Sequence, residues 1–249
     1  MPEGPSILIL KERLAPLKGK LVAETLGESE IDFNRLVQHK VTDVRSYGKN
    51  LILCFKGFFI RIHLMMYGTY LINDRKPAKP KLRIVTKDYE VNFYTCIVQL
   101  EEGKPDDRYS WETDVLSEEW DALKAEKTLK AMTKEKVCDV LLDQDIFTGV
   151  GNIIKNEVLF RISVHPESLV KSLPPKKIKE LVKEARNFSF DFYNWKKINK
   201  LNRNLKIYAK KECPRCGIPS QTTYIGKGKR LTCFCTNCQV LYVPEPLIK

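Results

Sequence analysis

Five of the chain's eight cysteines fall within its last forty residues. Four of the five form two close pairs, Cys213-Pro-Arg-Cys216 and Cys235-Thr-Asn-Cys238, in the pattern C-x2-C-x18-C-x2-C. No other stretch restricts the fold as tightly. Two thiolate pairs at this separation suit a tetrahedral four-sulfur zinc site, which predicts structural Zn2+ bound by Cys213, Cys216, Cys235 and Cys238. The residues between the pairs read as a β-hairpin: Thr222–Ile225, a turn at Gly226-Lys227-Gly228, then Arg230–Phe234. A hairpin this small needs the metal to stay folded. Cys233 is out of register with both pairs and reads as a strand side chain. Lys227, Lys229 and Arg230 charge the tip, either as a solvated turn or as a nucleic-acid contact. Cys54, Cys96 and Cys138 lie in apolar surroundings and read as buried thiols. Clustered rather than evenly spread cysteines point to a metal site in a reducing compartment, not to a disulfide framework.

The rest of the chain must form a core of its own. At 249 residues it is long enough for two modest domains. Its net charge of +12 favours a polyanionic partner, nucleic acid or an anionic surface. No apolar run reaches membrane-spanning length. The first one, Ile7–Leu10, is broken by Lys11, Glu12 and Arg13, unlike a secretory signal. Apolar residues at helical spacing predict a helix over residues 6–17. From about Lys20 to Gln99 short β-rich runs follow, including 51–55, 58–62, 69–72 and 82–85, which suggests a sandwich or barrel. A polar stretch with Gly103 and Pro105 reads as a linker. The expected division is residues 1–103, a linker over 104–117, a helical domain over 118–208, and the cysteine hairpin over 209–249. In the helical part, Thr148-Gly149-Val150-Gly151 separates two helices and Asn152 opens the second. That arrangement either binds a phosphate or simply caps a helix.

The N-terminus reads Met1-Pro2-Glu3-Gly4-Pro5. Removal of Met1 would leave a secondary amine on Pro2, able to form an iminium ion directly with an aldehyde-like carbon. An α-amine titrates near pH ~8, so more of it is unprotonated at neutral pH than a lysine. Glu3 follows within reach of whatever the amine attacks. The ordinary alternative is an unstructured terminus.

Taken together, these stretches resemble the formamidopyrimidine-DNA glycosylase and endonuclease VIII family. The matching motifs are Pro2-Glu3-Gly4-Pro5, Ser46-Tyr47-Gly48-Lys49-Asn50-Leu51, Leu141-Leu142-Asp143-Gln144 through Gly149-Val150-Gly151-Asn152 to Asn156-Glu157, and the cysteine hairpin with Arg230 five residues before Cys235. The resemblance implies an α+β fold of two domains: an N-terminal helix plus two-layered β-sandwich, and a helix–two-turn–helix domain with the zinc-finger hairpin. DNA would lie between them. It implies base-excision DNA repair by a glycosylase with lyase activity. Pro2 would attack C1′, Glu3 would shuttle protons, Lys49 would hold a phosphate and assist catalysis, and Asn152 and Arg230 would grip flanking phosphates. Met66 and Tyr67, with Met65, would fill the space left by the extruded nucleotide. The stretch Asn92–Ile97 lacks the Asp-Pro-Arg-Arg-Phe-Gly of the oxidised-purine branch, and Met66-Tyr67-Gly68 is nearer the endonuclease VIII pattern. An oxidised pyrimidine is therefore the expected lesion. Departures are Ser6 in place of a frequent glutamate, Met65 in place of glutamine, and a linker that offers Tyr109-Ser110-Trp111 instead of arginine. These loosen the expected contacts to the opposite strand, so single-stranded DNA joins damaged double-stranded DNA as a possible partner. A monomer is expected, in the cytoplasm and nucleoid if the chain is bacterial or in the nucleus if it is eukaryotic, and not secreted. The competing readings are an oxidised-purine glycosylase of the same family, a catalytically silent damaged-DNA binder and, from another class, a zinc-ribbon RNA-binding protein.

Overall fold

The first regular element of the computed structural model is helix α1, Gly4–Leu14. Residues 2–244 are described. α1 starts two residues before the apolar spacing suggests, because Pro5 sits in the first turn, where a missing N–H costs nothing. It gives way to a 3-10 turn at Ala15–Leu17 because Pro16 cannot donate to the carbonyl of Glu12. Two compact units follow from the contacts, Met1–Trp111 and Glu112–Lys249.

The first unit is a sandwich of two antiparallel sheets. One has the order β2 (Asp43–Tyr47), β3 (Asn50–Cys54), β4 (Phe58–His63), β8 (Ile97–Glu102); the other has β1 (Glu24–Leu26), β6 (Leu82–Val85), β7 (Glu90–Tyr94), β5 (Thr69–Ile72). Ile7, Leu10 and Leu14 of α1 share a core with Leu51, Leu53, Ile60, Ile62, Val91 and Phe93 from the two sheets. β3 shows why its sequence is apolar throughout rather than alternating. Leu51 and Leu53 face that core, whereas Ile52 and Cys54 face the other way, against Phe59 and Trp111. The outer face is closed by an aromatic stack. Tyr47 lies on Tyr109 with ring centres 4.5 Å apart, Trp111 meets Tyr47 edge-on at 5.3 Å, and the Arg45 guanidinium covers the Trp111 ring at 3.9 Å. Residues 109–111 thus belong to this unit's packing, which their polar neighbours concealed.

The second unit is helical: α2 (Ala122–Ala131), α3 (Val137–Val140), α4 (Asn152–Arg161), α5 (Pro175–Lys197) and α6 (Leu201–Asn204), then the hairpin β9 (Gln221–Ile225) and β10 (Arg230–Phe234). The long α5 buries Ile178, Leu181, Val182, Ala185, Phe188 and Phe192, a stripe at spacings of three and four, against α2 and α4. Between α3 and α4 the chain makes two turns braced by Gln144. Its amide nitrogen donates to the carbonyls of Leu142 (2.8 Å) and Val150 (3.1 Å), and its oxygen accepts from Gly149 N–H (3.1 Å). Gly149 has φ +96°, which no other residue type adopts cheaply. No described helix is long and apolar enough to cross a membrane.

Candidate active site and nucleic-acid interface

Pro2 is half-buried and Glu3 has no exposed surface. Glu3 opens α1, its backbone carbonyl accepting from Ser6 N–H at 2.8 Å. The other end of α1 is tied to the start of β2. Lys18 pairs with Asp43 at 2.8 Å, and Lys11, Glu12 and Ala15 line one depression with Asp43, Val44 and Arg45. α1 lies on β2 and β3. From Glu12 back to Glu3 the helix rises about 14 Å. From Val44 forward to Lys49 the strand rises about 16 Å. Running back along β2, α1 would bring the N-terminus towards the end of the sandwich that carries the β2–β3 turn.

That turn is Gly48-Lys49, closed by the pair Tyr47 and Asn50. Its first position has φ +52°, met by glycine, which leaves the second free to be a lysine. Asn50 then organises its surroundings. Its amide nitrogen donates to the carbonyl of Tyr47 (3.3 Å), and its oxygen accepts from Arg61 Nη1 (3.3 Å). Arginine only donates, so the amide orientation is set. His63 Nδ1, 3.1 Å from the same oxygen, must then carry the proton, leaving Nε2 as the open nitrogen. Burial, followed by the charges of Lys49 and Arg61, holds the imidazole below its ordinary pKa. Asn50 and His63 are directly paired across β3 and β4, a long-range partnership with no local sequence pattern.

His63 leads into the loop Leu64–Gly68. Met65, Met66 and Tyr67 are 46%, 47% and 78% exposed. Met65 is held at φ +51°, and Gly68 N–H closes the loop on the Leu64 carbonyl at 2.7 Å. A side chain at Gly68 would collide with that carbonyl. A strained, closed loop that presents three large apolar groups to solvent is unlike ordinary core packing. Lys49 and Met65–Tyr67 thus share one end of the first unit, since Asn50 and His63 are paired.

Asn152 and Arg230 are brought together in the second unit. Asn152 is the first residue of α4, with Gly151, not Asn152, at the cap position. Its amide nitrogen donates to the carbonyl of Leu231 (2.8 Å), the neighbour of the exposed Arg230. Asn156 extends the link by accepting from Cys233 N–H at 2.7 Å, and the fully buried Lys155 donates to Thr232 Oγ1 at 2.7 Å. Glu157, also fully buried, accepts from the backbone N–H groups of Ile207 and Tyr208, each at 2.8 Å. Among these α4 contacts, only those of Asn152 fall on a residue singled out by the sequence for a site role.

The sulfurs of Cys213, Cys216, Cys235 and Cys238 all lie within 4.8 Å of one another. The pairs Cys213–Cys238 and Cys216–Cys235 stand 3.8 and 3.5 Å apart. Four thiolates around a tetrahedral zinc ion would sit about 3.8 Å apart, so the cluster can hold such an ion. The N–H of Ile218 draws the Cys216 thiol down to about 6, whereas the bond to Cys216 raises Cys238 and burial raises Cys235, so one thiolate forms readily and the others need a metal's charge. Cys233 is not in this group; it is buried in the strand and approached by Thr222.

Two family models match the chain. The Formamidopyrimidine-DNA glycosylase N-terminal domain covers residues 1–97, and the Formamidopyrimidine-DNA glycosylase H2TH domain covers residues 112–188. Endonuclease 8-like 3 of Bos taurus is 35% identical over 222 residues, 85% of this chain and 36% of that protein. The chain thus spans about a third of the length of that relative. The DNA-(apurinic or apyrimidinic site) lyase Nei2 of Mycolicibacterium smegmatis is 28% identical over 256 residues, 96% of this chain and 99% of the other. Among solved structures, the Lactococcus lactis formamidopyrimidine-DNA glycosylase bound to DNA containing an AP site has the same fold. Its TM-score is 0.83 at 22% identity, over 95% of this chain and 99% of that one.

Proposed function

Because the chain belongs to the formamidopyrimidine-DNA glycosylase and endonuclease VIII family, we propose that it is a bifunctional DNA glycosylase and abasic-site lyase. What supports this reading is the buried Glu3 at the head of α1, with the Lys49 turn and the exposed Met65–Tyr67 loop side by side at one end of the sandwich. With Met1 removed, the Pro2 nitrogen attacks C1′ of the damaged nucleotide and the base leaves with the bonding electrons. Glu3, buried beside it, protonates the sugar ring oxygen, and the ring opens to an iminium ion. The iminium makes the 2′ hydrogen acidic. Loss of the 3′ phosphate and then of the 5′ phosphate cleaves the strand. Hydrolysis of the remaining iminium frees Pro2.

The other residues divide by what they touch. Lys49 holds a phosphate beside the lesion. Asn152 keeps a second amide hydrogen beyond the one given to Leu231, and with Arg230 it binds flanking phosphates. Met66 and Tyr67, with Met65, enter the stack where the nucleotide has left. Zn2+ on the four cysteines stabilises the hairpin that presents Arg230. The substrate is damaged DNA. The absence of an Arg-Phe pair at 92–97, where Asn92 is fully buried instead, supports an oxidised pyrimidine as the lesion.

Borohydride trapping tests the reading. Chain lacking Met1 is mixed with duplexes carrying an abasic site, thymine glycol, dihydrouracil or 8-oxoguanine and reduced. A crosslink mapped to Pro2, strongest with an oxidised pyrimidine and absent in Pro2→Gly and Glu3→Gln, is expected. A crosslink only with 8-oxoguanine reassigns the lesion. DNA binding without any crosslink, even at an abasic site, leaves a silent binder.

A further inference from the structure

The tip of the finger hairpin is held from outside the finger. β9 and β10 close through Gly226–Lys229, with Ile225 and Arg230 as the last pair. Gly226 has φ +79° and Lys229 φ +42°, and Lys229 N–H returns to the Gly226 carbonyl at 3.1 Å. The N–H of Lys227 leaves the loop and donates to Asp139 Oδ1, in α3, at 2.7 Å. The fit is close. A methyl group on Gly226 would run into the Asp139 carboxylate and come within 3.3 Å of Cys138 Sγ. On the other side of the loop, Gly228 lies against Arg230. A Cβ there would stand 3.6 Å from Arg230 Cγ and 3.7 Å from Nε. The Lys227 amide held by Asp139 thus lies inside the four-residue turn that ends at Lys229, the residue before Arg230.

Apart from the Lys229–Gly226 bond, a loop of two glycines and two lysines has little internal reason to keep one shape. The cysteine cluster holds the opposite end of the hairpin, since Cys235 follows Phe234, which pairs with Gln221. Zinc there cannot fix the tip. We propose that Asp139 is a positioning residue that anchors the tip so that Arg230 meets its DNA phosphate. The inference rests on the DNA-glycosylase reading above, and nothing requires Asp139 to touch DNA. Its charge makes the placement informative. An acidic side chain near a phosphate-binding arginine repels DNA, so its removal should tighten binding if charge alone matters. Anchoring predicts the opposite sign.

The test is fluorescence anisotropy with a duplex carrying a tetrahydrofuran abasic analogue, titrated at several salt concentrations. Asp139→Ala is expected to raise Kd about tenfold, the scale of one charge-assisted hydrogen bond. It should also lower the salt-dependence slope by about 0.9, one phosphate contact. Arg230→Ala should do the same, and the double variant should bind no more weakly than Arg230→Ala alone. Asp139→Asn keeps the oxygen acceptor and should bind within about threefold of the parent. Zinc content reports whether the hairpin has folded. If Asp139→Ala loses the metal, Gly226→Ala, which dislodges the tip with Asp139 in place, is read instead. Binding by Asp139→Ala as tight as the parent or tighter overturns the inference, and so do effects that add to those of Arg230→Ala. A parent protein that binds this duplex but forms no borohydride crosslink with a natural abasic site sinks the enzyme reading and leaves the positioning cycle intact.

Discussion

Replacing Glu157 by alanine should destabilise the helical unit more than any surface change. Its carboxylate accepts from Lys206 N–H at 2.9 Å and from Ile207 and Tyr208 N–H at 2.8 Å each. Those residues carry the chain from α6 towards Cys213, and Ile207 is buried beside Phe160 and Cys213. A hydrogen bond to a charged group contributes about 1.5–3 kcal/mol. Three such bonds do not add in full, because the alanine variant no longer desolvates a carboxylate and Lys206 can turn to water. The expected net loss is about 3–5 kcal/mol, the scale for breaking a buried charged contact. The unit Glu112–Lys249 should unfold with an entropy of about 0.3 kcal/mol per degree. The loss then corresponds to a fall in Tm of roughly 10–17 °C. Glu157→Gln keeps Oε1, which alone reaches all three donors, and should cost about 1–2 kcal/mol. Thermal unfolding followed by far-ultraviolet circular dichroism measures both, and zinc release to a chromogenic chelator should follow the same order. If Glu157→Ala melts within 2 °C of the parent, the three donors have found other partners and the reasoning fails.

Three further expectations concern metal and pH. Chelation, or Cys216→Ser, should unfold the hairpin and abolish DNA binding while the sandwich keeps its NMR spectrum. Burial, then Lys49 and Arg61, depress the His63 pKa, so the unfolded chain takes up that proton first and His63 contributes stability that is lost as pH falls below about 6.5. Lys49→Met should raise the His63 pKa in an NMR titration; an unchanged value would show that the two charges do not interact. Glu90 is drawn down to about 2, chiefly by its bonds to Arg75 and against the effect of burial. Its stabilisation is present above the unfolded pKa near 4.3 and is lost as pH falls towards 2. Glu90→Gln should flatten the Tm of the sandwich across that window, and an unaltered acid slope would assign the loss to other carboxylates.

The elements were legible where a local rule dominates. Proline at positions 5 and 175 and glycine at 149 and 226 mark starts and turns by their backbone limits alone. The cysteine spacing anticipated the cluster because metal geometry fixes it. What stayed hidden depends on distant pairing. Trp111 looked like linker because the side chains that cover it, Arg45 and Tyr47, lie more than sixty residues earlier. Nothing local marks Glu157 and Lys155 for burial, yet both are fully buried because α4 packs on the finger and on the segment entering it. Asp139 reads as one more polar residue in a short helix until the hairpin tip folds against it. The placement of Lys49 was readable from a glycine turn, whereas the Asn50–His63 link that furnishes its surroundings needs the register of two strands.

The aromatic stack gives the protein an optical probe of its own. Of three tryptophans, Trp111 alone belongs to the sandwich unit, while Trp120 and Trp195 lie in the helical one. With those two changed to phenylalanine, emission comes from a single indole under a guanidinium and edge-on to Tyr47, two residues before Lys49. Any movement of that turn when DNA arrives alters the quenching of this ring. Stopped-flow fluorescence can then time the closing of the Lys49 turn separately from the slower appearance of cleaved strand.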